Sequence, residues 1–325
     1  MKTEDFQALN AQIEGLTPHQ RKLLSKRLDT IQNVQAVNTL IESKVASASV
    51  CPQCAHDKIA RWGSASGLQR YRCVACKATF NALTGTPLAR LRKKEKWLDY
   101  TQQMQQGASV RKSAKACDVH RNTAFRWRHR FLEQPNTLKP AGLTGIAEAD
   151  EAFFLESFKG KKQAMPRASR KRGSKAAKPG LSDEQIPVLI CRDRAGNTTD
   201  FILEKDDRQH LVEALKPVLA SDAILCTDGS RAMVGVARQL GVIHKPVNLS
   251  AGVRVLERVY HVQNVNAYGS RLKTWMRRFN GVATCHLANY LGWRRLLDRH
   301  VDNDSAASFL AASLGMKSFQ QFTMT

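Results

Sequence analysis

The sequence predicts an α/β protein in which a mixed sheet follows two small basic modules. Three observations support this fold class. Four cysteines form two C-x-x-C pairs early in the chain, helical apolar spacing extends over residues 94–133, and short strand-like runs alternate with helical ones from about 145 to 298. Strands that alternate with helices are typical of an α/β sheet, which is mixed if its first three strands form a meander.

The charge of the chain favours a polyanionic partner. Its 325 residues contain 51 Lys and Arg against 28 Asp and Glu, a net charge of +23, and 42% are hydrophobic, which is enough for folded cores. Such a basic balance is typical of nucleic-acid binding. No apolar run is long enough to span a bilayer, and the opening MKTEDFQALN is too polar for a signal peptide. We therefore expect a cytoplasmic, nucleoid-associated protein with no membrane partner.

Residues 1–48 form a predicted helical segment. Thr17 is a candidate helix cap, and apolar residues follow it at mostly helical spacing. These residues are Leu23, Leu24, Leu28, Ile31, Val34 and Ile41. The sequence does not show what this apolar face packs against.

Residues 49–90 contain the two cysteine pairs, Cys51-x2-Cys54 and Cys73-x2-Cys76, separated by 18 residues. In an unsignalled chain of this length, the spacing indicates a metal site rather than disulfides. Four thiolates complete the tetrahedral shell of Zn²⁺ and leave no position for a reactive water. We expect one structural zinc ion in a ribbon too small to have its own core. Four unrelated thiols are the alternative.

Residues 91–135 predict a helix-turn-helix. The inward positions are Val110, Ala114 and Cys117 in the first helix and Ala124, Trp127 and Phe131 in the second. Asp118 stands in the turn where Gly is common, and Asp tolerates a left-handed backbone. The outer face of the second helix carries the candidate DNA-binding residues Arg121, Asn122 and Arg126, together with His129. A basic helical pair that only supports its neighbours is the alternative.

A linker is predicted over 136–144, because Gln134-Pro135-Asn136 and Pro140-Ala141-Gly142 should break the helix. The alternating domain follows over 145–300, and 301–325 is a predicted C-terminal tail. The predicted strands are 145–155, 188–192, 199–204, 223–227 and 242–247, and the predicted helices are 208–219, 231–240, 261–278 and 285–298. Between the first two strands, Lys159–Lys178 holds nine basic residues and no acid, as in a solvated loop or one that closes on phosphates.

Three polar residues of this domain stand where apolar ones are expected. Asp150 lies in a strand, Asp228 ends another, and Asn266 lies on a helix with Lys273 two turns further along the same face. Carboxylate and amide oxygens suit Mg²⁺, and two such ions activate the attacking and leaving oxygens of a phosphodiester. Taken singly, each residue also fits an ordinary role: an exposed Asp, an Asp-Gly turn or a surface Asn.

The order of these modules resembles that of bacterial insertion-sequence transposases with an N-terminal zinc ribbon, a helix-turn-helix and an RNase H-like core. It more narrowly resembles their Asp-Asp-Asn variant of the Asp-Asp-Glu triad. In that family the third metal ligand follows a His by five residues and precedes a Lys or Arg by seven, as His261, Asn266 and Lys273 do here. The other matching stretches are Phe80 with Gly85-Thr86-Pro87, EADE at 148–151, TDGS at 227–230 and GVATCHLANYLGWRR at 281–295.

The resemblance implies a DNA transposase whose double-stranded DNA partners are its element's terminal inverted repeats and a target. Such an enzyme cuts the element's ends in an Mg²⁺-dependent reaction and joins the freed 3′-hydroxyls to target DNA, acting as at least a dimer on paired ends. Asp150, Asp228 and Asn266 would hold two Mg²⁺ ions, Lys273 would contact DNA phosphate, and His261 would support the site.

Asn266 departs from the commoner triad, because a neutral amide leaves the site with one negative charge fewer. Glu148 shares a strand face with Asp150, opposite to that of Glu151, and is a candidate to restore the charge. An outward, solvated Glu148 is the simpler interpretation. Two other functions stay open: a zinc-ribbon DNA-binding regulator, which includes a decayed and inactive transposase, and a structure-selective nuclease that cuts without joining.

Overall fold

The computed structural model describes residues 2–47, 50–161, 165, 167–168, 176, 182–248, 251–299 and 305–316. Most of the basic stretch Lys159–Lys178 and of the segment 301–325 lies outside the described residues. The chain divides into two compact units, Met1–Phe131 with Asp304–Thr325, and Leu132–Asn303. No helix in the described part is both long and apolar enough to cross a membrane.

The helices and strands occupy most of the predicted positions. In chain order they are α1 (Thr3–Glu14), α2 (Pro18–Ser47), β1 (Ile59–Ala65), β2 (Leu68–Cys73), β3 (Thr79–Asn81), α3 (Trp97–Gln105), α4 (Val110–Ala116), α5 (Arg121–Thr137), β4 (Ile146–Leu155), β5 (Gln185–Asp193), β6 (Thr198–Ile202), α6 (Arg208–Leu215), β7 (Ile224–Thr227), α7 (Arg231–Leu240), β8 (Ile243–Pro246), α8 (Gln263–Arg277), α9 (Leu287–Arg299) and α10 (Ala306–Ser313).

The first unit begins with the two predicted N-terminal helices. Thr17 Oγ1 accepts a hydrogen bond from the Gln20 backbone N at 3.3 Å, as a helix cap does. The apolar face of α2 is buried towards its C-terminal end, at Val37, Leu40 and Ile41, whereas residues earlier in the helix such as Leu23 and Leu28 are exposed.

The remainder of the first unit contains a small sheet and the helix-turn-helix. Strands β1, β2 and β3 form an antiparallel sheet in that order. The aromatic residues of α3 and α5 make the helical core, in which Trp97 and Tyr100 pack edge-on against Phe131. Helix α10 lies within the predicted C-terminal tail, and Thr101 Oγ1 donates to its Ala306 carbonyl at 2.9 Å. That part of the tail is therefore helical and belongs to the first unit.

The predicted helix break at Gln134-Pro135-Asn136 was wrong. Helix α5 continues to Thr137 with Pro135 in its last turn. Proline lacks the N–H that would donate to the carbonyl four residues earlier, so one backbone hydrogen bond is lost there, and the helix ends two residues later. The Arg295 Nη2 donates to the Asn136 carbonyl at 2.8 Å and so satisfies an acceptor that the helix end leaves free.

The second unit is built on a five-stranded sheet of order β6-β5-β4-β7-β8. Strands β4, β5 and β6 pair antiparallel as a meander, while β7 pairs parallel to β4 and β8 parallel to β7. The predicted mixed sheet is therefore confirmed. Helices α6 and α7 share an apolar core with one face of the sheet, and α8 packs on β4 and β5. The central strand β4 is thus covered on both faces.

Helix α9 is fixed by ion pairs and by a close backbone approach. Arg295 forms a buried ion pair with Asp200, and Arg192 Nη1 lies 2.6 Å from Asp298 Oδ2. A Cβ added at Gly292 would lie 2.5 Å from the Asn136 Cα and 2.7 Å from its N. Only glycine at 292 allows the end of α5 to pass so close to α9.

We expect Gly292→Ala to lower the free energy of unfolding of the second unit by about 1–3 kcal/mol, because the added methyl group overlaps backbone that cannot rotate away. Urea or thermal unfolding followed by tryptophan fluorescence measures the change. Gly269→Ala in α8 is the matched control, since among the described residues no atom outside the adjacent backbone of α8 lies within 4 Å of its added Cβ, and it should be neutral or stabilising. Wild-type stability of Gly292→Ala would contradict the close approach.

Candidate functional site

Asp150 and Asp228 lie at the same level of neighbouring strands. The parallel register of β4 and β7 pairs Glu148 with Cys226, so two residues further on Asp150 stands opposite Asp228, which directly follows β7. Neighbouring strands are about 4.8 Å apart. The carboxyl ends of parallel strands are also where α/β sheets bind their ligands.

Helix α8 brings the other two predicted residues to Asp150. Asp150, Asn266 and Lys273 line one cavity of about 340 Å³ on the α8 face of the sheet. Arg277, one turn beyond Lys273, lines it as well. Asp228 does not line this cavity; it is exposed, and its Oδ1 accepts from the Ser230 N at 3.0 Å in the turn before α7. The negative charge of Asp228 nevertheless acts on Asp150 and raises the pKa of its carboxyl group.

The acidic groups at this end of the sheet repel one another. The pKa of Asp150 is raised, first by burial and then by the charge of Asp228, while the nearby Lys273 opposes the shift. The pKa of Glu151 is raised to about 8 by burial and by the charges of Asp206, Asp150 and Asp228. A bound divalent cation would reverse both shifts, because it favours the ionised carboxylate.

Two acids at this site had no assigned role in the sequence analysis. Glu151 points away from the face of Asp150, as strand alternation predicts, but it is half-buried and still lies in the field of Asp150 and Asp228. Asp206 lies in the loop before α6. Its pKa is raised first by burial, then by the charge of Asp207 and then by the charge of Asp228. In the sequence, the Asp206-Asp207 pair before a predicted helix could have indicated a further acid near the site. Such a pair equally indicates a helix cap, and Asp207 does cap α6.

Glu148 is not the outward, solvated residue that the simpler interpretation expected. Its side chain is fully buried, because β4 is the central strand of the sheet and α8 packs on the face that carries Glu148. The Oε2 accepts from the Val265 backbone N at 2.9 Å. The Oε1 lies 2.6 Å from Arg194 Nη1 and 3.4 Å from His261 Nδ1. The charge of Glu148 is therefore paired with Arg194, and His261 lies beside the same carboxylate.

The four cysteines of the first unit converge on one point. Their Sγ atoms all lie within 4.8 Å of one another, with Cys51 and Cys76 3.7 Å apart and Cys54 and Cys73 3.6 Å apart. A tetrahedral site with Zn–S bonds of about 2.3 Å separates its sulfur atoms by about 3.8 Å. The sulfur positions fit such an ion.

Both cysteine pairs lie on turns of the same backbone geometry. Ala55 and Lys77, which follow the second cysteine of each pair, have φ of +57° and +58°. Ala55 N donates to the Cys51 carbonyl at 2.9 Å, and Lys77 N donates to the Cys73 carbonyl at 3.1 Å. A left-handed conformation is unfavourable for both residue types. Its repetition indicates two turns built to direct paired thiols to one place.

The helix-turn-helix has the predicted turn and core. Asp118 adopts a φ of +50°, and Ala124, Trp127 and Phe131 are buried. The predicted surface residues Arg121, Asn122 and Arg126 are exposed on the first turns of α5.

His129 departs from the prediction of an exposed face. It is half-buried, and its ring packs edge-on against Phe125 with centroids 4.7 Å apart. Phe125 is 45% exposed beside Arg121 and Arg126 and was missed, although an aromatic pair four residues apart was a signal for contact. By contrast, Arg128 is buried and donates to the Ala108 carbonyl at 2.6 Å. The arginines of α5 therefore divide into exposed and structural ones.

The comparisons with known proteins agree with both units. Residues 142–294 match the ISXO2-like transposase domain. The second unit is therefore similar to a transposase domain. The matched residues include Asp150, Asp228, Asn266 and Lys273. Residues 89–138, which contain α3, α4 and α5, match a homeodomain-like domain, and this supports a DNA-binding helix-turn-helix.

Two known proteins share similarity beyond the transposase-family domain. The uncharacterized protein in transposable element ISH50 of Halobacterium salinarum is 26% identical over 261 residues, which cover 79% of this chain and 87% of that protein. The crystal structure of a pre-cleavage Mos1 transpososome is matched at 14% identity and a TM-score of 0.20, over 73% of this chain and 82% of that chain. With so low a TM-score, no conclusion about fold follows from the second match.

We expect Arg126→Ala to weaken binding to a DNA sequence selected by the wild-type protein by about 1–3 kcal/mol, if Arg126 contacts a base. Binding to random DNA should change far less. Electrophoretic mobility shifts at fixed salt measure both affinities.

Arg238→Ala is the matched control, because Arg238 is exposed on α7 and its removal changes the net charge equally. It should have a small effect that is the same on both DNAs. An equal loss of affinity on both DNAs for Arg126→Ala would show a phosphate contact only, and no loss on either would remove α5 from the interface.

Proposed function

We propose that this protein is the transposase of an insertion sequence. It binds the terminal inverted repeats of its element, cuts the element's ends in an Mg²⁺-dependent reaction and joins the freed 3′-hydroxyls to target DNA. The observation that carries the proposal is that Asp150 shares a cavity with Asn266 and lies in the electrostatic field of Asp228, which directly follows β7, within a region that matches a transposase domain.

The sheet topology supports an RNase H-like core for this reaction. Its first three strands form a meander, and the fourth and fifth lie parallel to the first on its other side. This arrangement resembles the RNase H-like core of insertion-sequence transposases. It places the first and fourth strands side by side, which brings Asp150 level with the end of β7, where Asp228 follows.

The donor atoms at this site fit Mg²⁺, which prefers oxygen ligands. Asp150 and Asp228 would each supply a carboxylate, and Asn266 would supply an amide oxygen. When bound at these ligands, two Mg²⁺ ions would activate the attacking hydroxyl and stabilise the leaving oxygen. The raised pKa of Asp150 supports cation binding here, since burial and the charge of Asp228 disfavour its ionised form without a compensating positive charge.

Lys273 and Arg277 would hold the DNA rather than the metal. Both line the cavity that Asp150 and Asn266 share, and Lys273 is exposed at its rim. A Lys ammonium at this position would orient the scissile phosphate towards the carboxylates. Recognition of the repeats would come from Arg121, Asn122 and Arg126 on the first turns of α5. A dimer or larger oligomer would pair the two ends of the element.

We expect Asp150→Ala and Asp228→Ala each to abolish cleavage and strand transfer while repeat binding remains. Asn266→Ala should also abolish strand transfer, whereas Asn266→Asp keeps an oxygen ligand and should retain part of the activity. Incubation with labelled element ends, Mg²⁺ and a target plasmid measures cut and joined products. Asp222→Ala, at an exposed acid of the same unit, is the control and should keep both reactions.

The products of this assay also separate the other functions. Strand transfer near the wild-type level in a folded Asn266→Ala protein would remove Asn266 from the site. Cutting without joining by the wild-type protein would favour a structure-selective nuclease. Specific repeat binding without either reaction would favour a DNA-binding regulator or a decayed transposase.

We also propose that Cys51, Cys54, Cys73 and Cys76 hold one structural Zn²⁺ ion. The sulfur separations of 3.6 and 3.7 Å and the repeated left-handed turns support this assignment. The closed four-thiolate shell would leave no open position for chemistry. The ion would instead fold the sheet of β1, β2 and β3, whose apolar core is small.

We expect protein purified without chelators to contain one zinc ion per chain and the double variant Cys51→Ser, Cys73→Ser to lose it. Elemental analysis measures the metal content. Cys285→Ser, at an exposed cysteine of the second unit, is the control and should keep the ion. Equal zinc content in the wild type and the double variant would contradict the site.

A further inference from the structure

A buried carboxylate joins the two elements that carry Asp150 and Asn266. Glu148 precedes Asp150 by two residues on β4, and its side chain is fully buried. Its Oε2 accepts a hydrogen bond from the backbone N of Val265 at 2.9 Å. Because Val265 directly precedes Asn266, this hydrogen bond connects the strand of one proposed ligand to the helix of the other.

The contact occurs where α8 lacks a cap of its own. The residue at the N-cap position is Val262, which forms no side-chain capping hydrogen bond. The first N–H groups of a helix have no partners within the helix, and the positive end of the helix dipole lies there. A carboxylate from β4 supplies both an acceptor and a negative charge at this end. Glu148 thus acts as a cap that comes from the sheet.

Arg194 balances the buried charge of Glu148. Arg194 Nη1 lies 2.6 Å from Glu148 Oε1, and Arg194 Nη2 donates to the Val259 carbonyl at 3.0 Å. Within the described residues Oε1 receives no aligned hydrogen bond, so Arg194 acts on it through charge. Burial of a carboxylate is unfavourable unless such a partner is present. The ion pair and the hydrogen bond from Val265 thus hold the Glu148 carboxylate between β4 and α8.

Glu148 does not line the cavity that Asp150, Asn266 and Lys273 share. Its two oxygens are directed at the start of α8 and at Arg194 instead. This arrangement suits a group that sets the position of other residues and does not suit a third metal-bound carboxylate.

We propose that Glu148 is a positioning residue that fixes the start of α8 on β4 and so sets the separation of Asp150 and Asn266. The inference rests on the proposed function, in which these two residues hold the same metal ions. A displacement of about 1 Å at a catalytic site can reduce a rate by about 100-fold. Loss of this anchor should therefore weaken metal binding and strand transfer without affecting repeat binding.

The test compares Glu148→Gln with Glu148→Ala in the full chain. Glutamine keeps an oxygen that can accept from Val265 N, whereas alanine leaves that N–H without its partner. Three quantities are measured: hydrogen exchange of the 263–268 amides, Mn²⁺ binding by electron paramagnetic resonance, and strand transfer of pre-cut element ends. Glu213→Ala, at an exposed Glu on α6, is the control and should match the wild type in all three.

We expect Glu148→Ala to exchange faster at 263–268, to bind Mn²⁺ at least tenfold more weakly and to transfer strands about 10–100-fold more slowly, with repeat binding unchanged. Glu148→Gln should restore slow exchange and most of the Mn²⁺ affinity. Exchange at α9 reports whether the alanine variant remains folded. If it does not, the glutamine variant decides, because a metal ligand would lose Mn²⁺ affinity on loss of its charge.

Unchanged exchange or unchanged Mn²⁺ affinity in a folded Glu148→Ala protein would overturn the inference. Equal loss of Mn²⁺ affinity in both variants would also overturn it and make Glu148 a direct ligand. A wild-type chain that binds Mn²⁺ but never joins DNA would contradict the proposed function and leave the inference on Glu148 standing. Hydrogen exchange and Mn²⁺ binding test the position of α8 independently of strand transfer.

Discussion

The parallel pairing of β4 with β7 is the constraint on which the proposed active site depends. Its register, with Glu148 opposite Cys226, brings Asp150, in the middle of β4, to the level at which β7 ends and Asp228 follows. Two carboxylates held this close repel each other, and burial adds to the cost at Asp150, as the raised pKa shows. The fold therefore creates a site whose unfavourable charge a divalent cation would relieve.

The basic residues of this chain have two different roles that the net charge does not separate. Arg128, Arg194 and Arg295 are paired with internal carbonyls or acids and hold their units together. Arg121 and Arg126 are exposed on α5 and available to DNA. The net charge of +23 favours a nucleic-acid partner. The burial of each arginine determines whether its charge is accessible to such a partner.

Local patterns in the sequence predicted the strands and helices of the second unit and their mixed sheet. The spacing of the four cysteines predicted a cluster, and periodicity placed Asn266 and Lys273 on one face of α8. The sequence could not show that β4 is covered on both faces, so the burial of Glu148 was missed. It also could not show that Arg295 satisfies the carbonyl of Asn136, so Pro135 was taken as a helix break. Both errors concern partners more than 100 positions away in the chain, which periodicity does not reveal.

A change of metal preference tests most directly whether Asp228 holds a catalytic ion. Asp228→Cys replaces a carboxylate by a thiolate, a softer ligand that Mn²⁺ accepts better than Mg²⁺ does. The strand-transfer rate of this variant is measured in each ion, beside Asp222→Cys as the control. The account predicts no activity of Asp228→Cys in Mg²⁺ and recovery in Mn²⁺, with the control active in both. An equal loss in both ions, or full activity in Mg²⁺, would contradict it.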